Sequence, residues 1–331
     1  VGKKVSYCAS KAVFALARHM LFQASMAEPR PTRITLPSEL GIQAWLEDCA
    51  QGYLAGTRAG RPAGASPPRE LLENEVLRAE SIRYTVQLLV AERCALAATA
   101  GLINAAPWES CKRYLATQVL DEARHVEVFT ERLYELGVDP AELDDKIGEY
   151  AHPDLLGLSE LVLERVHRGD VLAGLLGQGI VLDEIAAATY EMLESSVAVL
   201  DPAFSHAVGG ILRDERRHTD VAERLIRELL TTRPEKKVQL AKLQRELTGL
   251  VVRTFQDAFR ENPLPEEFRR VANALRSEGH ANGSSEIRWA GIDLLASDAS
   301  ELEKALIKTV RERLKTRFQS LGMESYTTPF V

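Results

Sequence analysis

The chain has 331 residues, 45% of them hydrophobic and 6% aromatic, and a formal net charge of −7. That is enough apolar material for a substantial core, in one large domain or two ordinary ones. The acidic balance argues against general nucleic-acid binding, which relies on a basic surface. The four cysteines (Cys8, Cys49, Cys94 and Cys111) form no Cys-x-x-Cys pair. They fit reduced thiols in a cytoplasmic protein better than a disulfide framework.

The first 27 residues contain no acid and carry Lys3, Lys4, Lys11 and Arg18. Arg18 and His19 are out of place in a signal core, so the segment is read as an amphipathic helix through Val13, Leu16, Met20 and Ala24 that packs on the body. Gly56 to Pro68 is a linker or loop. A long helix is predicted from about Glu70 to Ile103. A second begins at Pro107 and closes near Gly137, in the stop signal Leu-Gly-Val-Asp-Pro. A shorter helix covers about Leu155 to His167, and another long one about Val171 to Leu200. Asp201-Pro202 opens the next, which ends near Thr231. Further helices are expected at about Glu235 to Glu261, Pro265 to Ser277 and Glu301 to Leu321. Gly279 to Ser285 is a loop, and the tail from Gly322 has no pattern. No alternating run reads as a strand, and no stretch approaches the roughly 20 apolar residues of a membrane span. The expected fold class is all-α. Residues 1–68 form an arm and linker, residues 69–232 a four-helix bundle, and residues 233–331 helices packed on that bundle.

A five-residue word occurs twice: Asp121-Glu122-Ala123-Arg124-His125 and Asp214-Glu215-Arg216-Arg217-His218. Helix residues three apart point the same way, so Glu122 with His125, and Glu215 with His218, can each grip one metal ion. Each word comes after a helix with a Glu on an apolar stripe. Glu92 lies among Leu88, Leu89, Ala95, Leu96 and Thr99, and Glu184 among Gly177, Ile180, Val181, Ala187 and Ala188. An unpaired carboxylate on such a stripe is costly to ionise, and four of them in one bundle ask for cations. Carboxylate and imidazole ligands suit iron or manganese. Asp121 and Asp214 are placed to hold the second ring nitrogen of each His, across the pair, with Arg124 and Arg217 balancing their charge.

Other acids compete less well. Glu80 has more polar neighbours. Glu191 lies on the face of Glu184 and is an extra carboxylate or pocket residue. Glu149/His152 and Glu164/His167 share the Glu-x-x-His spacing but lack the Asp and Arg, and read as solvated pairs. The small residues of the third ligand helix, Gly174 to Ala188, either open an apolar pocket or let helices approach closely. Ala95, Phe129, Ala187, Ala188 and Glu191 are the candidate pocket residues.

The repeated Asp-Glu-x-Arg-His word resembles the dinuclear-iron branch of the ferritin-like superfamily. The likeness is to multicomponent monooxygenase hydroxylase subunits and soluble acyl-carrier-protein desaturases, over about residues 70 to 232. The resemblance implies a ferritin-like four-helix bundle. It implies two iron ions, or a manganese–iron pair, held by Glu92, Glu122, His125, Glu184, Glu215 and His218. It further implies dioxygen-dependent oxidation (hydroxylation, N-oxygenation or desaturation) of a small organic or carrier-bound substrate. Without a Gly-rich dinucleotide fingerprint or a cysteine cluster, electrons come from an external reductase or ferredoxin. A homodimer is the default assembly. The chain departs from that pattern at Ala187 and Ala188, where those enzymes carry Thr. At Phe129 the radical-generating subunit of ribonucleotide reductase carries Tyr. A manganese–iron ligand-binding oxidase is the alternative function. A ferroxidase is less fitting, because the chain is much longer than a cage-forming ferritin.

Overall fold

The computed structural model describes residues 65–259, 264–277 and 287–323. The predicted N-terminal helix, most of the Gly56–Pro68 linker, the Gly279–Ser285 loop and all but the start of the tail lie outside the described residues. A short helix α1 (Arg69–Glu73) precedes α2 (Glu75–Ala105), and Asn74 between them caps α2 by accepting from the Leu77 N–H. This cap explains why the first long helix starts later than the apolar periodicity suggests. Next come α3 (Glu109–Glu135), α4 (Leu143–Tyr150) and α5 (Pro153–His167). The third long helix, α6 (Val171–Val197), contains a π turn over Gly177–Leu182. Asp201 caps α7 (Pro202–Thr232), with Pro202 in its first turn. Beyond it lie α8 (Lys236–Phe259), α9 (Leu264–Ser277) and α10 (Ala299–Ser320), the last opened by an Asp298/Glu301 capping box.

The described residues are almost all helical, as expected. A two-residue hairpin, β1 (Arg288–Trp289) with β2 (Ile292–Asp293), is the exception. Strands this short carry no alternation to read, and the turn between them uses Ala290 and Gly291 at positive φ. All described residues fall in one compact unit.

Helix α2 packs on α3 and α6 on α7, while α8 and α10 cover the outer side of α6. The bundle interior holds two apolar clusters. One is built around Leu102, Leu176, Leu247 and Phe318, the other around Leu89, Phe129, Tyr190 and Val208. Burying each such large side chain contributes roughly 1.5–3 kcal/mol. The small residues of α6 serve close approach. A Cβ at Gly179 would lie 2.5 Å from the Ala222 Cβ on α7, and one at Gly174 would lie 2.7 Å from Leu102. Contrary to the expectation from the sequence, α2 and α6 are long and apolar enough to cross a membrane by length and composition. In α6, 89% of the most apolar window is buried inside the protein, as in a bundle core helix.

Candidate metal centre

Each of the four long helices sends acid to the bundle centre. Glu92 comes from α2, Glu122 and His125 from α3, Asp183 from α6, and Glu215 and His218 from α7. Two groups close enough to hold a metal ion form there: Glu92, Glu122, His125 and Glu215, and then Asp183, Glu215 and His218. All are buried. His125 Nδ1 lies 3.2 Å from Glu92, 3.4 Å from Glu122 Oε2 and 3.0 Å from Glu215 Oε1. His218 Nδ1 lies 3.3 Å from Glu122 Oε1 and 3.7 Å from Glu215 Oε2. Glu122 and Glu215 therefore each reach both histidines with separate oxygens. Glu92 sits with His125, and Asp183 is grouped with His218. The arrangement is close to two-fold symmetric.

Glu184 is not part of this cluster. Its carboxylate accepts from Arg317 Nε of α10 at 2.6 Å and lies 3.8 Å from Arg313. The reason is local geometry. The π turn over Gly177–Leu182 holds an extra residue per turn, so Gln178 and Asp183, five apart, share the face turned to the centre, where a uniform α helix would bring position 182. Asp183 then faces the bundle axis, and Glu184, roughly 100° further round, faces α10. Gln178, within the π turn, donates to Asp183 at 3.0 Å, and Gln118 donates to Glu122 at 3.1 Å. Neither Gln carries a motif that would have marked it.

The other predicted residues divide. Asp214 lies 3.4 Å from His125 Nε2 and Asp121 3.2 Å from His218 Nε2, so each copy's Asp meets the other copy's His. Arg124 pairs with Asp214, and Arg217 with both Asp121 (2.5 Å) and Asp214 (2.9 Å). Glu191 is away from the centre, paired with Arg216 and Arg313. Glu80 pairs with Arg83, at 3.4 Å. Of the predicted pocket residues, Ala95, Phe129, Ala187 and Ala188 are buried in the core, and neither they nor Glu191 lines the cavity beside the centre. Ala186, Thr189 and Tyr190 of α6 line that cavity instead. Tyr190 is fully buried, stacks on Phe129 with ring centroids 5.7 Å apart, and donates its hydroxyl to Glu92.

The donor set fits a pair of cations. Three buried atoms that face the centre, Glu122 Oε2, Glu215 Oε1 and His218 Nδ1, have no hydrogen-bond partner. Four ionised carboxylates balance two divalent ions, and without such balance each buried charge costs several kcal/mol. Burial pushes the Glu92 carboxyl up, and burial with the Glu215 charge holds Asp183 well above the usual carboxylate range. Burial works against a charged ring at His125, but Glu92 and then Asp214 outweigh it and raise the ring well above its ordinary value. At His218, burial is outweighed by the hydrogen bond to Asp121 and the nearby Glu215 carboxylate, which place the ring at about 9.

In the metal-free protein, protonated His218 contributes stability that is fully present below its ordinary value of 6.5 and is lost as pH rises through about 9. A metal ion must displace that proton. Apparent affinity for cobalt(II), measured by visible absorption, is expected to tighten as pH rises through about 9, by about tenfold per pH unit for each proton released. An affinity independent of pH would mean that no imidazole proton is displaced.

Four long helices that each give a carboxylate to one buried centre, two of them through Glu-x-x-His, define the ferritin-like bundle, and its buried Glu/Asp/His cluster can hold two metal ions. No family model and no curated protein matches the chain. Among solved structures, a Synechococcus protein with aldehyde deformylating oxidase activity is similar at 18% identity and a TM-score of 0.48, over 76% of this chain and 93% of that one.

Proposed function

We propose that the chain is a non-haem di-iron oxidase that uses dioxygen to oxidise a small organic substrate. Its metal ligands are Glu92, Glu122, His125, Asp183, Glu215 and His218. The observation that carries this reading is the near-symmetric set of four buried carboxylates and two histidines with three donor atoms unsatisfied. Two ferrous ions held there would supply the electrons and open positions at which dioxygen is reduced. The protein's own residues bind and orient. Asp121 and Asp214 hold the Nε2 sides of the imidazoles, so that Nδ1 faces the ions. Gln118 and Gln178 orient the Glu122 and Asp183 carboxylates. The apolar clusters on either side keep bulk water out. Electrons for repeated turnover come from a separate reductase or ferredoxin.

Purified protein reconstituted anaerobically with ferrous iron is expected to hold about two irons per chain, and Glu122→Ala and His218→Ala to lose them. The loaded protein is then expected to consume dioxygen, faster with substrate present. A folded wild-type protein that takes up no metal would defeat the reading.

One observation favours a second reading, a manganese–iron ligand-binding oxidase related to the ribonucleotide reductase small subunit. Tyr190 places a buried phenol on Glu92 beside Phe129, close to where the radical subunit carries its Tyr. One manganese and one iron per chain after growth with both metals would select it.

A further inference from the structure

A cavity of about 350 Å³ lies between α2, α5, α6 and α8, within the roughly 300–1,000 Å³ range of small-molecule sites. Its inner end lies beside the centre, with Tyr190, which donates to Glu92, between them. Ala91 and Leu182, the chain neighbours of Glu92 and Asp183, line it, as does Tyr190. Along α2 the lining runs from Leu77 to Ala91, a length on the order of 21 Å at the helical rise. The walls are mainly aliphatic and aromatic.

The polar groups in these walls restrict what can enter. Both arginines that line the cavity are already paired, Arg83 with Glu80 and Arg132 with Asp201, and Asp257 lies 3.4 Å from His152 Nε2. Among the described residues that line it, each arginine already has a carboxylate partner and each carboxylate a basic neighbour, so the walls favour a neutral guest. Two hydroxyls are different. Tyr84 OH and Thr189 Oγ1 are buried and have no hydrogen-bond partner, and both residues line this cavity. Burial holds the Tyr84 phenol protonated, so it remains a donor. Leaving two buried hydroxyls unsatisfied is costly, and a ligand oxygen would satisfy them.

We propose that this cavity takes a neutral, elongated, largely apolar molecule whose alcohol or carbonyl oxygen is met by the hydroxyls of Tyr84 and Thr189. The inference rests on the oxidase reading for its chemistry, since it makes this molecule the substrate. It stands on the cavity alone for its binding.

Calorimetric titration of the full chain tests it, with 1-decanol as probe and decanoate and decyltrimethylammonium as charged counterparts of the same length. The expected result is one 1-decanol per chain, with both charged probes at least about tenfold weaker. The Tyr84→Phe/Thr189→Val double variant, which keeps the shape of both side chains, is expected to lose about tenfold in affinity for 1-decanol. Ala186→Trp, which fills the cavity, is expected to abolish binding while circular dichroism stays unchanged. Unchanged affinity in the double variant, full binding in Ala186→Trp, equal binding of decanoate, or no binding by folded wild type would each overturn the proposal. Metal content measured on the same preparations separates the two readings. A protein that holds two metals and ignores 1-decanol defeats only the substrate inference, and one that binds 1-decanol but takes no metal defeats only the oxidase.

Discussion

Asp183→Asn is expected to bind about one metal ion per chain where wild type binds two, while Glu184→Gln still binds two. The two acids are neighbours in sequence and both are buried, but they do different work. Asp183 is grouped with Glu215 and His218 and accepts from Gln178. Glu184 is held by Arg317 and Arg313, and Arg317 is itself bound to Asp220 at 2.8 Å and Glu223 at 2.7 Å. Asn keeps the shape of Asp183 and its contact with Gln178 but is a much poorer ligand for a hard cation. Gln at 184 leaves a polar contact to α10 and touches nothing at the centre. Metal analysis after anaerobic ferrous loading reads the outcome directly. The reverse pattern, with Glu184→Gln losing metal and Asp183→Asn keeping it, would mean that the α6 register changes when metal binds.

The second large effect separates two residues that the repeated word makes look equivalent. Asp214→Asn and Asp121→Asn should each weaken metal binding by about 10- to 100-fold, because each removes the carboxylate behind a ligand imidazole. Their costs in stability should differ. Asp214 neutralises Arg124, which is only 7% exposed. Stranding that buried guanidinium costs about 3–5 kcal/mol. Asp121 pairs with Arg217, whose side chain is 48% exposed and keeps its second partner Asp214, so the loss of that ion pair, apart from the imidazole contact that both variants lose, costs about 1 kcal/mol or less. His125 and Arg124 hold the Asp214 carboxyl well below the usual range against the effect of its burial, as a strongly engaged group requires. Urea unfolding of the two metal-free variants reads the difference. Equal destabilisation would mean that the Arg124–Asp214 pair is not desolvated in solution.

Much of the centre is legible in the residues. Glu122/His125 and Glu215/His218 can be paired because α3 and α7 are regular helices, in which a spacing of three fixes a common face. The crossing of Asp121 and Asp214 to the opposite His is what two such helices placed face to face produce. Glu92 stands out as a lone acid on an apolar stripe. The differences between sequence and structure concentrate on α6. A π turn has no reliable composition, so Gly177–Leu182 reads as ordinary helix, and every position downstream is turned by one residue. The offset brings Asp183 to the face of Gln178, with Glu184 beside it turned to α10, and Ala186 and Thr189, not Ala187 and Ala188, line the pocket. Tyr190 and Gln178 escape a sequence reading for the same reason. The clamp on Glu184 is also out of its reach, because it depends on α10, more than 120 residues away in the chain.

The exchange of Asp partners between the repeated words also bears on how the site is assembled. Each word holds an imidazole of the centre but not the carboxylate that orients it, which comes from the other word. A hairpin of α2 and α3, folding first, would bring together Glu92, Glu122 and His125 with the far side of the imidazole unsupported. The hairpin of α6 and α7 has the mirror-image deficiency. The two halves are thus interlocked, and neither alone holds a complete, supported set of donors before the other has docked.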